Sequence, residues 1–294
     1  MPEHKKQHYL PRFYLEGFSI EENFNGVKQN LIWYYSKETK ELKRKSIENI
    51  AHKPYYYSYK DQKGEYDLSV EKYFGYIEFE TSKVIKQLED DFRVILKRYN
   101  NRDIDLLKLR GLSNDEKNTL ILFIFYMLKR VPAYVEYVEE SWKKKYTELL
   151  IKHNREFDSN EFKKVVIELL MDIGASGDMN YVKLFNSKNI EFIYNPFFDS
   201  TFLTIDDPFI NINLNQKPGF VYKDTNIFFP LSSRLIIRFY DFGSSITLSK
   251  VDSNKRLFSI NGHIASLTYK YIFCRSKLYL NKIVKELRKT FNGF

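Results

Sequence analysis

One cysteine, Cys274, occurs in 294 residues, so no internal disulfide can form and the chain fits a reducing compartment. Eleven glycines and eight prolines are too few for long disordered or repetitive stretches. The longest apolar run, Leu120 to Leu128, falls far short of the ~20 residues needed to cross a bilayer. The opening MPEHKKQHYL is charged and polar and lacks an apolar signal core. These absences lead to the expectation of a cytoplasmic protein. Familiar catalytic signatures are missing too: there is no GxxxxGK[ST], no GxGxxG after a strand, no HExxH, no CxxC and no GxSxG. The histidines, at positions 4, 8, 52, 153 and 263, show no metal-ligand spacing. The common nucleotide, zinc and serine-hydrolase classes are thereby excluded. An enzyme assembled from residues far apart in sequence is not.

What is present is aromatic and basic. Aromatic residues make up 17% of the chain, mostly 25 Phe and 23 Tyr, within a composition of 43% hydrophobic and 29% charged residues typical of a globular protein. The abundance of Lys, Ile, Asn and Tyr points to an AT-rich, bacterial genome. The net charge is +9, unevenly placed. From Asn254 to Phe294 nine basic residues face one acid, Glu286, giving +8 and leaving +1 for the other 253 residues. Lys277, Lys282, Lys285, Arg288 and Lys289 therefore mark a candidate nucleic-acid-binding surface. The competing reading is a solvated face on a terminal helix.

Periodicity gives an α+β order: an N-terminal and central helical bundle, then a mostly antiparallel sheet, closed by two C-terminal helices. Leu31 to Lys37 has strand character, and Lys40 to Lys45 resembles a turn beside it. Ala51 to Tyr59 is an extended, tyrosine-rich segment. Val70, Phe74, Ile77, Val84, Ile85, Leu88, Phe92 and Ile95 recur at helical spacing, with Asp67 or Ser69 as the cap. Ser113 and Glu116 form a capping box that opens an all-round apolar helix, interrupted at Pro132. Amphipathic helices follow from Val135 to Leu149 and from Asp158 to a stop at Gly174–Gly177. Strands are expected at Tyr181–Phe185, Ile190–Tyr194, Phe202–Ile205, Phe220–Lys223, Ile227–Phe229, Arg234–Tyr240 and Ser245–Ser249. The closing helices are placed at Gly262–Ile272 and Lys277–Phe291. One domain spanning 1–294 is expected, mainly helical over 1–177 and sheet with terminal helices over 178–294.

Three polar clusters carry chemistry. The stretch QHYLPRFYLEGF, Gln7 to Phe18, sets His8 and Arg12 among aromatics. His8 is a candidate general acid or base, because an imidazole titrates near neutrality; the competing reading is a buried ring bonded to backbone. In FLTIDDPF, Asp206 and Asp207 follow an apolar strand, where adjacent carboxylates are placed to hold a divalent cation or, equally, to start an Asp-Pro turn. Glu71 and Glu78, seven apart, share one face of the long helix. Arg130 ends the buried helix and needs a carboxylate, either Glu78 or Asp206.

HYLPRF, VEKYFGYIE (Val70–Glu78), LKRVP (Leu128–Pro132), FLTIDDPF and IFFPLSS (Ile227–Ser233), in that order, resemble the uncharacterised bacterial HYVP-motif family, domain of unknown function 4238. The resemblance runs from His8 to about Phe273. It implies importance for His8, Tyr9, Pro11, Arg12, Glu71, Glu78, Arg130, Asp206 and Pro208. Leu10 stands where the family usually has Val. Asp207 stands where it usually has Asn, which favours Asp206 over a strict two-carboxylate metal site. Two readings follow. One is an enzyme on a phosphate-bearing substrate, a nuclease of the toxin or phage-defence kind. It would use His8, Asp206, Glu71 and Glu78 for catalysis, Arg12, Arg130 and Tyr9 for substrate, and a divalent cation as candidate cofactor. The other is a non-catalytic module that binds nucleic acid or protein through the basic C-terminal surface.

Overall fold

The computed structural model describes residues 5–98, 103–105, 112–172, 178–213, 222, 224–291 and 294. Its first strand, β1 (Lys6–His8), pairs antiparallel with β5 (His52–Pro54). Strand alternation buries Gln7 and sends Lys6 and His8 to the opposite side. The Gln7 amide donates to Ser58 Oγ at 2.7 Å and its carbonyl accepts from Tyr57 N at 2.6 Å. Pro11, with φ −54°, then leads into the short helix α1 (Arg12–Glu16). Leu10, Leu15 and Phe18 are wholly buried, and the Tyr14 hydroxyl meets Thr204 Oγ1 at 2.6 Å. The opening motif thus ties together segments up to 190 residues apart.

A meander follows: β2 (Ile20–Phe24), β3 (Val27–Ser36) and β4 (Leu42–Ser46), with β3 paired to both neighbours. The basic run expected as a turn lies mostly in β4. Its side chains alternate between half-buried and exposed, so Lys43 and Lys45 project outward while Leu42 and Arg44 turn inward. Charge had masked a period of two.

The helices come next. α2 (Ser69–Arg98) buries Phe74, Ile77, Ile85, Leu88 and Phe92 along one stripe. Asp67 Oδ1 accepts from Ser69 N at its start. α3 (Asn114–Arg130) carries the full Ser113–Glu116 capping box. Val131 is extended, and α4 (Pro132–Lys152) begins on the proline, whose missing N–H is no loss at a helix start. α5 (Ser159–Asp172) and α6 (Asp178–Asn186) complete the block. The expected stop at Gly174–Gly177 lies outside the described residues. Tyr181–Phe185, expected as a strand, lies within α6: Val182 and Phe185, three apart, are buried on one helical face. A five-residue, mostly apolar segment does not reveal its period.

Among the described residues, six strands then form one sheet, in the order β6 (Asp103–Asp105), β12 (Ile246–Lys250), β7 (Lys188–Tyr194), β11 (Leu235–Phe242), β10 (Thr225–Pro230), β9 (Ile210–Asn213). Only the β12–β7 pair is parallel among these neighbours. The expected Phe220–Lys223 strand lies outside the described residues apart from Tyr222. A second sheet joins β2, β3, β13 (Tyr271–Cys274) and β8 (Thr204–Ile205), with β4 also on β3. Helices α7 (Asn254–Ser266) and α8 (Lys277–Thr290) pack beside it. The helix expected to reach Ile272 stops at Ser266, because the following YIFC is buried on both sides. Phe273 enters the core under α2 and α3, while Ile272 and Cys274 enter the core under α7 and α8. Only an extended strand sends adjacent residues to opposite cores. The fold class is α+β.

Gln7→Ala would strand the Tyr57 amide and the Ser58 hydroxyl in the interior. Urea unfolding is expected to show a loss of about 2–4 kcal/mol, against less than about 0.5 kcal/mol for exposed Lys6→Ala.

Candidate active site

Four segments meet in a cleft of about 470 Å³. β1 supplies Lys6 and His8, α1 supplies Arg12, and α2 supplies Glu71, Lys72, Gly75 and Glu78. Arg130 arrives from the end of α3, and Glu48 lies at the edge. The α2 residues follow helical spacing: 71, 75 and 78 lie on one face, with 72 beside them. Pro11 starts α1 so close after β1 that Arg12 comes electrostatically within reach of His8.

Arg130 holds these segments together. Its side chain is only 3% exposed and donates from Nη1 to Glu78 Oε1 at 2.6 Å. Nη2 donates to the His8 carbonyl oxygen. The Tyr57 hydroxyl donates to the Arg130 carbonyl at 2.7 Å, and the guanidinium lies 4.5 Å from the centre of the Phe74 ring. Burial alone would lower the guanidinium pKa, but Glu78 and Tyr57 outweigh it, so the charge is fixed. Of the two partners expected for Arg130, the structure chooses Glu78.

Among the described residues, Glu71 and Arg130 each keep one buried atom unpaired, Oε2 and Nε. Burial pushes the Glu71 carboxyl up to about 7; Arg130 and Arg12 pull it down, and Glu78 pushes it further up. His8 moves the other way. Burial, then the charges of His52 and Arg12, hold its imidazole at about 4, against the stabilising Ile47 carbonyl. The ring is therefore neutral at pH 7, with Nε2 3.3 Å from Ile47 O. That is the backbone-bonded arrangement weighed against a catalytic one.

Other candidates lie elsewhere. Tyr9 is buried beneath the motif and does not line the cleft. The Asp206 carboxylate accepts from Thr268 Oγ1 (3.0 Å), Tyr269 N (3.1 Å) and Lys270 N (2.7 Å), which fastens the turn before β13. Asp207 is held up at about 6 by burial and by the Asp206 charge. Among the described residues, no group of three or more His, Cys, Asp or Glu is placed to hold a metal ion. Lys277, Lys282, Lys285, Arg288 and Lys289 are all exposed on α8. Lys289 pairs with Glu286 at 3.0 Å and Arg288 donates to the Lys40 carbonyl at 2.9 Å. Lys6, Glu48, Lys72 and Gly75 escaped sequence reasoning. The signal for Lys72 and Gly75 was their offset of one and four from Glu71 on a helix.

The fold and cleft define an α+β protein with a mixed-charge site built on one long helix. The family model for "Protein of unknown function (DUF4238)" matches residues 6–278, and the chain belongs to that family. No curated protein matches it. No solved structure matches it either. Among the described residues, no helix is long and apolar enough to cross a membrane.

The Glu71 shift has a fixed sign. Its folded pKa lies above its unfolded value of 4.5, so the folded state holds the extra proton between pH 4.5 and about 7. Stability is lost as pH rises through that window. Glu71→Gln removes the penalty. Denaturant unfolding is expected to show the variant more stable than wild type by on the order of 2 kcal/mol at pH 8, after discounting for solvent at the cleft, with no gain at pH 4.

Proposed function

We propose that this chain is an enzyme acting on a phosphate-bearing substrate seated in the α2 cleft, with Glu71 as general acid–base. The observation that carries the reading is the half-buried Glu71 carboxyl, whose buried Oε2 has no partner among the described residues and which burial pushes up to about 7 beside the cations Arg12, Lys6 and Lys72. A group with a pKa near the working pH is best suited to move a proton in either direction. In hydrolysis, ionised Glu71 takes a proton from water as the new oxygen–phosphorus bond forms. The ester oxygen–phosphorus bond breaks, and the departing oxygen is neutralised by Arg12 and protonated from solvent. Arg130 and Glu78 are positioning residues: they fix α2 against β1 and hold the charge beside Glu71. His8 contributes its carbonyl to Arg130 and a neutral ring to the wall. Asp206 has no part in this scheme.

Gly75 supports the same reading. A Cβ built there meets nothing within 4 Å, so packing does not demand the glycine. Glycine costs about 1 kcal/mol relative to alanine inside a helix, and here it leaves the floor of the cleft open. The second reading, a non-catalytic nucleic-acid-binding module, rests on the exposed Lys282 and Lys285 of α8.

Purified wild type, Glu71→Gln, Gly75→Trp and Lys282→Glu/Lys285→Glu would be incubated with RNA, DNA and small phosphate mono- and diesters at pH 6–8. Turnover is expected in wild type and to fall about 10²–10⁴-fold in Glu71→Gln. Gly75→Trp is expected to lose turnover with α2 still folded by circular dichroism. The lysine double variant is expected to retain it. Equal turnover in wild type and Glu71→Gln would refute the role of Glu71. Binding without turnover, lost only in the lysine double variant, would establish the second reading.

A further inference from the structure

A second cleft, of about 550 Å³, lies further along the same helix. It is lined by Glu89, Asp90, Arg93 and Lys97 of α2 and, opposite them, by Phe198 and Arg234 among others. Glu71 and Glu89 are eighteen residues apart, as are Gly75 and Arg93. That is about five helical turns, so the two clefts share one face of α2 and are separated by about 27 Å. The opposite walls are joined as well. Arg12 begins α1, whose following Gly17 accepts at its carbonyl from Ser233 N at 2.9 Å and packs tightly on Ser232. Ser232 Oγ in turn donates to Glu89 Oε1, and Arg234 follows directly.

The second cleft presents an aromatic face. Phe198 is 88% exposed, yet its loop is well fastened. Arg234 Nη1 donates to the carbonyls of Asn195 and Phe197, and its guanidinium lies 5.1 Å from the Phe198 ring centre. The Asn195 amide closes the loop through Ser200 O at 2.7 Å and Phe197 N at 3.0 Å. Between the clefts, on the same side of α2, Phe79 is 60% exposed and Lys86 is exposed. Exposed rings alternating with cations are what a single strand requires, since every base has a face to stack and every linkage a negative charge. Glu89 and Asp90 are the acids of the second cleft; Glu89 accepts from Ser232 Oγ and Asp90 is already paired with Arg93 at 2.7 Å.

We infer that the substrate is a single-stranded polynucleotide lying along α2, with its phosphates on the helix cations from Lys72 to Lys97 and a base stacked on Phe198. This rests on the cleft reading above and names its substrate class. The separation of about 27 Å spans roughly eight phosphates at B-form spacing and fewer in an extended strand.

The test is fluorescence anisotropy with end-labelled oligo(U) and oligo(dT) of about 12 nucleotides, and with the matching trinucleotides, at fixed salt. The longer strand is expected to bind at least about tenfold tighter than the trinucleotide. Phe198→Ala, a solvent-exposed change, is expected to weaken it roughly tenfold. Arg93→Glu/Lys97→Glu should weaken it and flatten its salt dependence, whereas Lys282→Glu/Lys285→Glu should leave it unchanged. A preference between the two sugars identifies RNA or DNA. Equal affinity for long and short strands, or no effect of Phe198→Ala, overturns the inference. The outcomes also separate it from the catalytic reading. If Glu71→Gln and wild type bind the long strand alike and wild type cleaves nothing, the strand path stands and the catalytic reading fails. If small phosphate esters turn over through Glu71 with no preference for the longer strand, the reverse holds.

Discussion

The rest of the structure around the cleft depends on one buried cation. Arg130 cannot stay charged at 3% exposure without a paired carboxylate, because isolated buried charge costs several kcal/mol. Glu78 from α2 accepts from Nη1 and the His8 carbonyl from β1 accepts from Nη2, while Tyr57 donates to the Arg130 carbonyl and Nε has no partner among the described residues. Three chain segments distant in sequence are thereby fixed within one side chain's reach. Replacing such a pair by apolar residues is often neutral, whereas removing one partner costs about 3–5 kcal/mol. The pair is therefore better understood as specifying how α2, α3 and β1 meet than as adding to stability.

That geometry has a chemical consequence. Glu78 takes up the ion pair with Arg130, and Glu71, two helical turns away on the same face, is left half-buried with Oε2 unmatched among the described residues. Its pKa is a contest between burial and Glu78 on one side and Arg130 and Arg12 on the other, and burial prevails. A fold selected only for stability would have paired or replaced this carboxyl, as functional sites often decline to do. His8, first suspected as the titrating group, is instead kept neutral by the same surroundings.

Much of this was legible in the sequence, for particular reasons. The period of α2, the Ser113–Glu116 cap and the Pro132 break are local signals, and they placed Glu71, Glu78 and Arg130 correctly on their elements. Arg130 at the end of a buried helix demanded a carboxylate, and Glu78 was one of two named. Other features depended on tertiary context. β4 was hidden by its lysines, α6 was too short to show its period, and β13 was legible as a strand only once two cores were seen to flank it. Asp206 was ambiguous for a similar reason: a strand-end carboxylate serves a cleft or a turn equally well until its donors are known, and here they are Thr268, Tyr269 and Lys270. Phe198 gave no signal at all, since exposure is not written in a single residue.

The central claim, that a half-buried Glu71 with an unpaired oxygen is poised near neutrality beside Arg130, is tested most directly by carboxyl NMR. Protein labelled with carbon-13 at the glutamate side-chain carboxyls would be titrated from pH 4 to 9. One carboxyl is expected to titrate at about 7, and its resonance to be missing in Glu71→Gln. If every glutamate instead titrates in the ordinary range near 4.3, or if the late-titrating signal survives in Glu71→Gln, the account is contradicted.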